Sequence, residues 1–433
     1  MERSGPAAFH LMSETLAAKW VELVTQALLV LLVPRALGAA PYGQFALAFA
    51  VVSVLSAGLG LGAPLAAIRY VPAAAPGEQR ARARTVARSV TLSRARLLTA
   101  LTLAAAVVGP TVLDVPLGLT LVVCAAAWCS VGSSVAAELG LAIGRPRLWN
   151  ARFPLENGLV VVAAPAGLAV SGAHGAIAGM ALACAATFAV LYRGVARELR
   201  AAPAGAPLPP EAATYARFQT VTVILATLVA RGGPLAMPVA AASSVQIGFA
   251  AIATGVGAAG QATMFSLLLV QLPRLVQRGV TSPEGAERDA ERAGWQALIL
   301  AMATALPAAL LAGPAVDLAL GREFSGARHA LVLALPSVPL GAMLGLSSVI
   351  ASLRLRPGAQ TSSWGLGCAA FAVVATATIP ALDAEGAALA MTSGFLVTSL
   401  AAAVLVGGRA MRDVCAAAVA GAALVLAAGL AVA

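Results

Sequence analysis

The sequence predicts an all-α polytopic membrane protein: two six-helix lobes related by a pseudo-two-fold axis along the membrane normal, plus an extra C-terminal helix. Three observations lead there. Of the 433 residues, 60% are apolar and only 11% charged, where a soluble chain carries about a quarter charged residues. The apolar residues gather into long continuous segments. Short motifs recur at offsets of 205 to 211 positions.

The composition excludes a water-soluble fold and a single-pass anchor on a soluble domain. Apolar segments fall at 10–33, 43–68, 97–113, 117–143, 153–171, 176–192, 218–239, 243–271, 294–316, 329–353, 362–380, 387–408 and 414–433. Most match the roughly 20 residues that a membrane helix needs, and they are too long and continuous for barrel strands. The first carries Glu14, Lys19 and Glu22, so a cleaved signal is not expected. Cys124, Cys129, Cys184, Cys368 and Cys415 all lie in apolar stretches without metal or redox spacing, and are expected to pack as small apolar residues.

The net charge of +10 would suggest nucleic acid in a soluble protein, but here the basic residues sit in short loops. Threading the segments back and forth puts 23 Lys and Arg residues on one side and Arg35, Arg231, Arg322 and Arg328 on the other. Such asymmetry predicts a cytoplasmic N-terminus. The outer loops are too short to hold a catalytic domain. The cluster from Arg80 to Arg96 reads as an orientation signal that meets anionic membrane lipids. The prolines between 203 and 210 read as an extended spacer. The expected organisation is an N-terminal lobe at 1–200, a linker at 201–217, a C-terminal lobe at 218–410 and an additional apolar helix at 411–433.

Three motif pairs support the repeat. Tyr42-Gly43-Gln44-Phe45 corresponds to Ile247-Gly248-Phe249-Ala250, Gly144-Arg145-Pro146 to Leu355-Arg356-Pro357, and Gly175-Ala176-Ile177-Ala178 to Gly386-Ala387-Ala388-Leu389. Repeats of this kind are typical of secondary transporters, whose sites lie near mid-membrane between the halves. Thr15, Lys19, Glu22 and Gln26 share one face of the first helix, and the offset of 205 maps them onto Thr220, Ile224, Thr227 and Arg231. Charges at this depth cost about 2.5–3.5 kcal/mol. The expectation is a hydrated, cationic cavity lined by Thr15, Lys19, Glu22, Gln26, Thr220, Thr227 and Arg231, suited to a diphosphate, because Arg forks onto phosphate and Lys supplies a point charge. The alternative is a Lys19–Glu22 pair that only locks the first helix in place. Arg35, Arg69, Glu138 and Glu156 are candidate gate or headgroup-admitting residues, the two acids flanking the Arg145/Arg147/Arg152 loop. No phosphate-binding glycine loop, zinc motif or serine-hydrolase motif is present; no cofactor, catalytic residue or metal site is expected.

Two stretches resemble the polysaccharide-export flippases of the MOP (multidrug/oligosaccharidyl-lipid/polysaccharide) superfamily. The first carries Arg35, Leu37, Gly38, Tyr42, Gly43, Phe45, Gly60, Gly62, Arg69 and Tyr70; the second runs from Leu320 to Ala327. The resemblance implies a non-enzymatic transporter in the bacterial cytoplasmic membrane. It would flip polyprenyl-diphosphate-linked oligosaccharide by alternating access, beside other polysaccharide-assembly proteins and without nucleic acid. A cation-coupled multidrug exporter of the same superfamily and a non-transporting assembly subunit are the alternatives. Family members usually have twelve or fourteen helices, so a thirteenth departs from the pattern.

Overall fold

A computed structural model describes residues 20–432, apart from 22–23, 26–27, 60–62, 75–77, 113–115, 201–204 and 206–208. Among the described residues every regular element is helical. In chain order these are α1 (Leu28–Leu37), α2 (Ala39–Leu59), α3 (Ala63–Tyr70), α4 (Gln79–Val112), α5 (Leu117–Ala142), α6 (Pro146–Arg200) and α7 (Pro210–Ala236). There follow α8 (Ser244–Leu269), α9 (Leu272–Thr281), α10 (Pro283–Leu310), α11 (Ala312–Ala319), α12 (Ala327–Ala334), α13 (Ser337–Leu353), α14 (Pro357–Leu405) and α15 (Arg409–Leu430). Pro146, Pro210, Pro283 and Pro357 each open a helix, where the N–H that proline lacks has no partner to lose. Ser243 and Ser282 cap α8 and α10 by accepting from Gln246 N and Gly285 N, both at 3.3 Å.

Nine helical stretches among the described residues are long and apolar enough to cross a membrane, which makes this a multi-pass membrane protein. Two are too long for one crossing. At 1.5 Å per residue, α6 and α14 would each exceed twice the roughly 30 Å of hydrocarbon. Both fold back. α6 breaks at Ser171 and Gly172 (φ 64°), and Gly167 then meets Gly175 so closely that a Cβ would stand 2.0 Å from the Gly175 carbonyl oxygen. α14 breaks at Asp383 (φ 46°), and the Thr378 hydroxyl donates across to the Gly386 carbonyl at 3.1 Å.

The two halves repeat one backbone. Gly172 and Asp383 are 211 positions apart, as are Gly144 (φ 76°) and Leu355 (φ 53°). The last two end their helices with the same pair of bonds. Arg145 N and Gly144 N donate to the Gly140 and Leu141 carbonyls at 2.8 and 3.1 Å; Arg356 N and Leu355 N donate to those of Ala351 and Ser352 at 2.8 and 3.3 Å. Left-handed backbone suits Gly144, which has no Cβ, and strains Leu355.

At the centre α2 crosses α8. A Cβ on Gly43 would lie 1.9 Å from the Ser244 carbonyl oxygen and 3.3 Å from Gly248 N, while one on Gly248 would lie 3.6 Å from Gly43 N. These glycines are 205 positions apart and touch each other. Mutual contact between equivalent residues is the signature of a two-fold axis, here joining the two lobes.

The helices run further into the arginine-rich end than the apolar segments do: α4 begins at Gln79, α6 continues to Arg200 and α7 begins at Pro210. Between the two helices Gly205 is pinned to α4, its N–H donating to Thr85 Oγ1 at 3.2 Å and its carbonyl accepting from that hydroxyl at 3.0 Å. The added helix α15 packs on α10 and α13. Arg354 secures its approach, donating to both Glu287 carboxylate oxygens at 2.7 Å and to the Val406 and Gly407 carbonyls at 3.1 and 3.0 Å.

Candidate functional site

The lobes meet around a small central cavity of about 30 Å³, lined from α1 by Leu29 and Val30, from α2 by Tyr42, Phe45 and Phe49, from α7 by Arg231 and Pro234, and from α8 by Thr254 and Gly255. All four helices flank the pseudo-two-fold axis. Arg231 is the only charged residue on the wall among the described residues. Its guanidinium carbon sits 5.4 Å from the centre of the Phe49 ring, a cation–π distance, and Tyr42 lies within electrostatic reach. No carboxylate pairs with Arg231 and no acceptor takes a hydrogen bond from it among the described residues. A guanidinium carries five donors of fixed geometry, and on such an apolar wall it calls for an anion.

α2 supplies the aromatic wall by spacing. Tyr42, Phe45 and Phe49 stand at i, i+3 and i+7 and share one helical face; Tyr42 and Phe45 stack with centroids 6.3 Å apart. The sequence reasoning did not single out Phe49 or the Tyr42 ring as wall residues, although this periodicity marks them.

The predicted residues divide. Thr15, Lys19, Glu22 and Gln26 lie outside the described residues. Of the predicted residues on α7, Arg231 lines the cavity; Thr220 and Thr227 turn their hydroxyls to their own helix, donating to the Ala216 and Val223 carbonyls at 2.8 Å. Arg35 is exposed near the end of α1. Glu138 accepts from Ser134 at 3.4 Å.

Glu156 is inside the N-terminal lobe, where Cys184 Sγ approaches Oε1 at 3.7 Å. Its Oε2 is buried without a hydrogen-bond partner, as is Thr187 Oγ1. Arg145 pairs instead with Glu198 at 2.9 Å, and Arg152 stacks on Phe153 at 4.5 Å.

Arg69 sits where the lobes meet at the arginine-rich end. Its Nε donates to the Ser352 carbonyl at 3.0 Å, and its guanidinium carbon is 5.6 Å from the Tyr70 ring centre. Tyr70 meets Tyr215 edge-on, with centroids 5.8 Å apart. The Tyr215 hydroxyl shares a 2.7 Å hydrogen bond with Ser352 Oγ. Tyr215 and Ser352 are 3% and 2% exposed, so this contact is buried. Both were missed from sequence, since Ser352 lies 283 positions from Arg69.

A larger cavity of about 430 Å³ opens at the arginine-rich end of the C-terminal lobe, lined by Glu287, Glu291, Arg354 and Arg409 among others. It lies where α15 joins α10 and α13, away from the axis.

Comparison of the whole chain with solved structures defines the class. The chain is similar to a mutant of the Vibrio cholerae MATE transporter VcmN (15% identity, TM-score 0.66, covering 93% of this chain and 97% of that one). It is similar to an outward-facing multidrug resistance MATE family transporter of the MOP superfamily (15% identity, TM-score 0.67, 94% and 96% covered). It is also similar to the lipid II flippase MurJ in an inward closed conformation (10% identity, TM-score 0.62, 94% and 90% covered). No family model and no curated protein matches by sequence. The fold is the one found in these MOP-superfamily transporters.

Proposed function

We propose that the protein is a transporter that flips polyprenyl-diphosphate-linked oligosaccharide from the inner to the outer leaflet of a bacterial cytoplasmic membrane, for surface polysaccharide assembly. One observation carries this reading: a guanidinium, Arg231, without a carboxylate partner among the described residues, on the wall of a central cavity between two pseudo-symmetric lobes. A diphosphate fits it chemically, because forked, charge-assisted hydrogen bonds to phosphate are the strong kind. The cavity is the size of one water molecule, so the headgroup enters only after the lobes part. Alternating access then moves diphosphate and sugar through the centre while the lipid tail stays in the bilayer. The arginine-rich end is cytoplasmic on this reading. The 80–96 arginines hold it to anionic lipid, and Lys19 adds a second cation to the wall. The protein works without catalysis of its own, beside other polysaccharide-assembly proteins.

The test is deletion of the gene and complementation. Loss of surface polysaccharide with lipid-linked precursor held inside is expected, restored by the wild type and not by Arg231→Gln at equal protein level. Unchanged polysaccharide on deletion would contradict the reading.

The fold likeness to MATE transporters favours a second reading, export of small molecules coupled to a cation. Arg231 weighs against cationic drugs, which it repels. Raised drug susceptibility on deletion, with polysaccharide intact, would select it.

A further inference from the structure

The contact at the arginine-rich end is built from one cation and neutral partners. Arg69, on α3 of the N-terminal lobe, bonds through Nε to the carbonyl of Ser352, at the end of α13 in the C-terminal lobe. No carboxylate pairs with Arg69 and no second hydrogen bond engages its guanidinium among the described residues. The two Nη groups are therefore uncommitted. The lobes also pack here, α3 lying on α7 and α9 with Tyr70 edge-on to Tyr215, while the Tyr215–Ser352 bond lies within the C-terminal lobe and holds the Ser352 end of α13 in place.

We infer that Arg69 is the bolt of a ligand-released latch: a diphosphate headgroup arriving at this end takes the guanidinium away from the Ser352 carbonyl and so opens the lobes to itself. The energetics favour the exchange. A bond charged only on the donor side is replaced by bonds charged on both sides, and the planar fork can engage two phosphate oxygens where it held one carbonyl. Without Arg69 the packing of α3 on α7 and α9 loses this polar tie between the lobes. A neutral or cationic ligand offers the guanidinium nothing and leaves the latch shut. The closed contact thereby also selects for charge before the cavity is reached, and Arg231 then receives the same diphosphate deeper in. This inference rests on the flippase reading.

Spin labels on opposite sides of the latch test it. Ala73→Cys follows α3 and Ala213→Cys lies near the start of α7, both exposed, in a background freed of the five native cysteines. Distances are measured by electron–electron double resonance in nanodiscs. Polyprenyl diphosphate and inorganic diphosphate are the probes, with polyprenol as the uncharged control. The expected result is a short distance without ligand, and a shift to longer distance with either diphosphate but not with polyprenol. A response to the lipid alone would assign the ligand to the membrane; a response to inorganic diphosphate as well would assign recognition to the phosphates.

Arg69→Gln is expected to show the long distance without ligand and no further shift. Tyr215→Phe keeps the bolt, and is expected to keep the response. An Arg69→Gln protein that stays short and still answers diphosphate overturns the latch, and so does a wild type that answers neither probe. Failure of the flippase reading would register separately, as polyprenyl diphosphate binding that ignores Arg231→Gln.

Discussion

The two halves share a backbone but not a charge pattern, and the difference locates function. Helix ends, hairpin turns and the central crossing repeat at offsets of 205 to 211 positions. Yet the C-terminal half places a cation, Arg231, on the central cavity, while the N-terminal half holds a carboxylate, Glu156, inside its own lobe; among the described residues neither Arg231 nor one Glu156 oxygen has a hydrogen-bond partner. The position 205 before Arg231 is Gln26, a neutral residue. Backbone geometry was kept through the repeat because the lobes must pack alike about one axis.

The crossing offers the harshest way to break the symmetry. Gly43→Val would put side-chain atoms into the Ser244 carbonyl, where a Cβ has only 1.9 Å. Overpacking costs about 1–3 kcal/mol where side chains can adjust, and backbone cannot. A lower melting temperature in detergent and lost export are expected, with Gly248→Val milder because its nearest atom is 2.9 Å away.

The matched helix ends give a smaller, signed effect. Leu355→Gly relieves left-handed strain and should stabilise by about 1 kcal/mol, while Gly144→Ala at the equivalent position should destabilise by about as much. Equal signs in denaturant titration would show that the two ends are not conformational equivalents. Thr85→Ala removes both bonds to Gly205. About 1 kcal/mol of stability and faster hydrogen exchange at the start of α7 are the expected losses.

The smallest effect is a pH dependence at the turn between α11 and α12. Asp317, on α11, is bonded to Arg328, and that hydrogen bond holds its carboxyl below the usual range. A depressed carboxylate stabilises above its ordinary pKa and loses that stability as pH falls through the depressed value. Hydrogen-exchange protection of 312–334 should therefore fall on acidification below about pH 4, and Arg328→Gln should abolish the dependence.

Much of the fold was legible because membrane helices announce themselves by length and composition. Gly175 and Gly386 matched in sequence, and both prove to face the opposite arm of a hairpin. The helix ends were less legible: α4 begins at Gln79 among arginines, where hydropathy is silent. The spacing argument put Arg231, Thr227 and Thr220 on one face of α7. It could not say that the threonines bond their own backbone, because that choice belongs to rotamers. Phe49 was readable from its spacing to Tyr42 and Phe45, had aromatic periodicity been weighed beside charge. Ser352 and Tyr215 were not readable, since their meeting with Arg69 and Tyr70 depends on how the lobes close.

The most direct measurement is binding of polyprenyl diphosphate to purified protein in nanodiscs, compared among wild type, Arg231→Lys and Arg231→Gln. Losing a charged hydrogen-bonding partner costs about 1.5–3 kcal/mol, so Arg231→Gln should bind about 10- to 100-fold more weakly. Arg231→Lys, which keeps the charge and loses the fork, should fall between. Equal affinity in all three proteins would contradict the assignment of the central guanidinium as the diphosphate receptor.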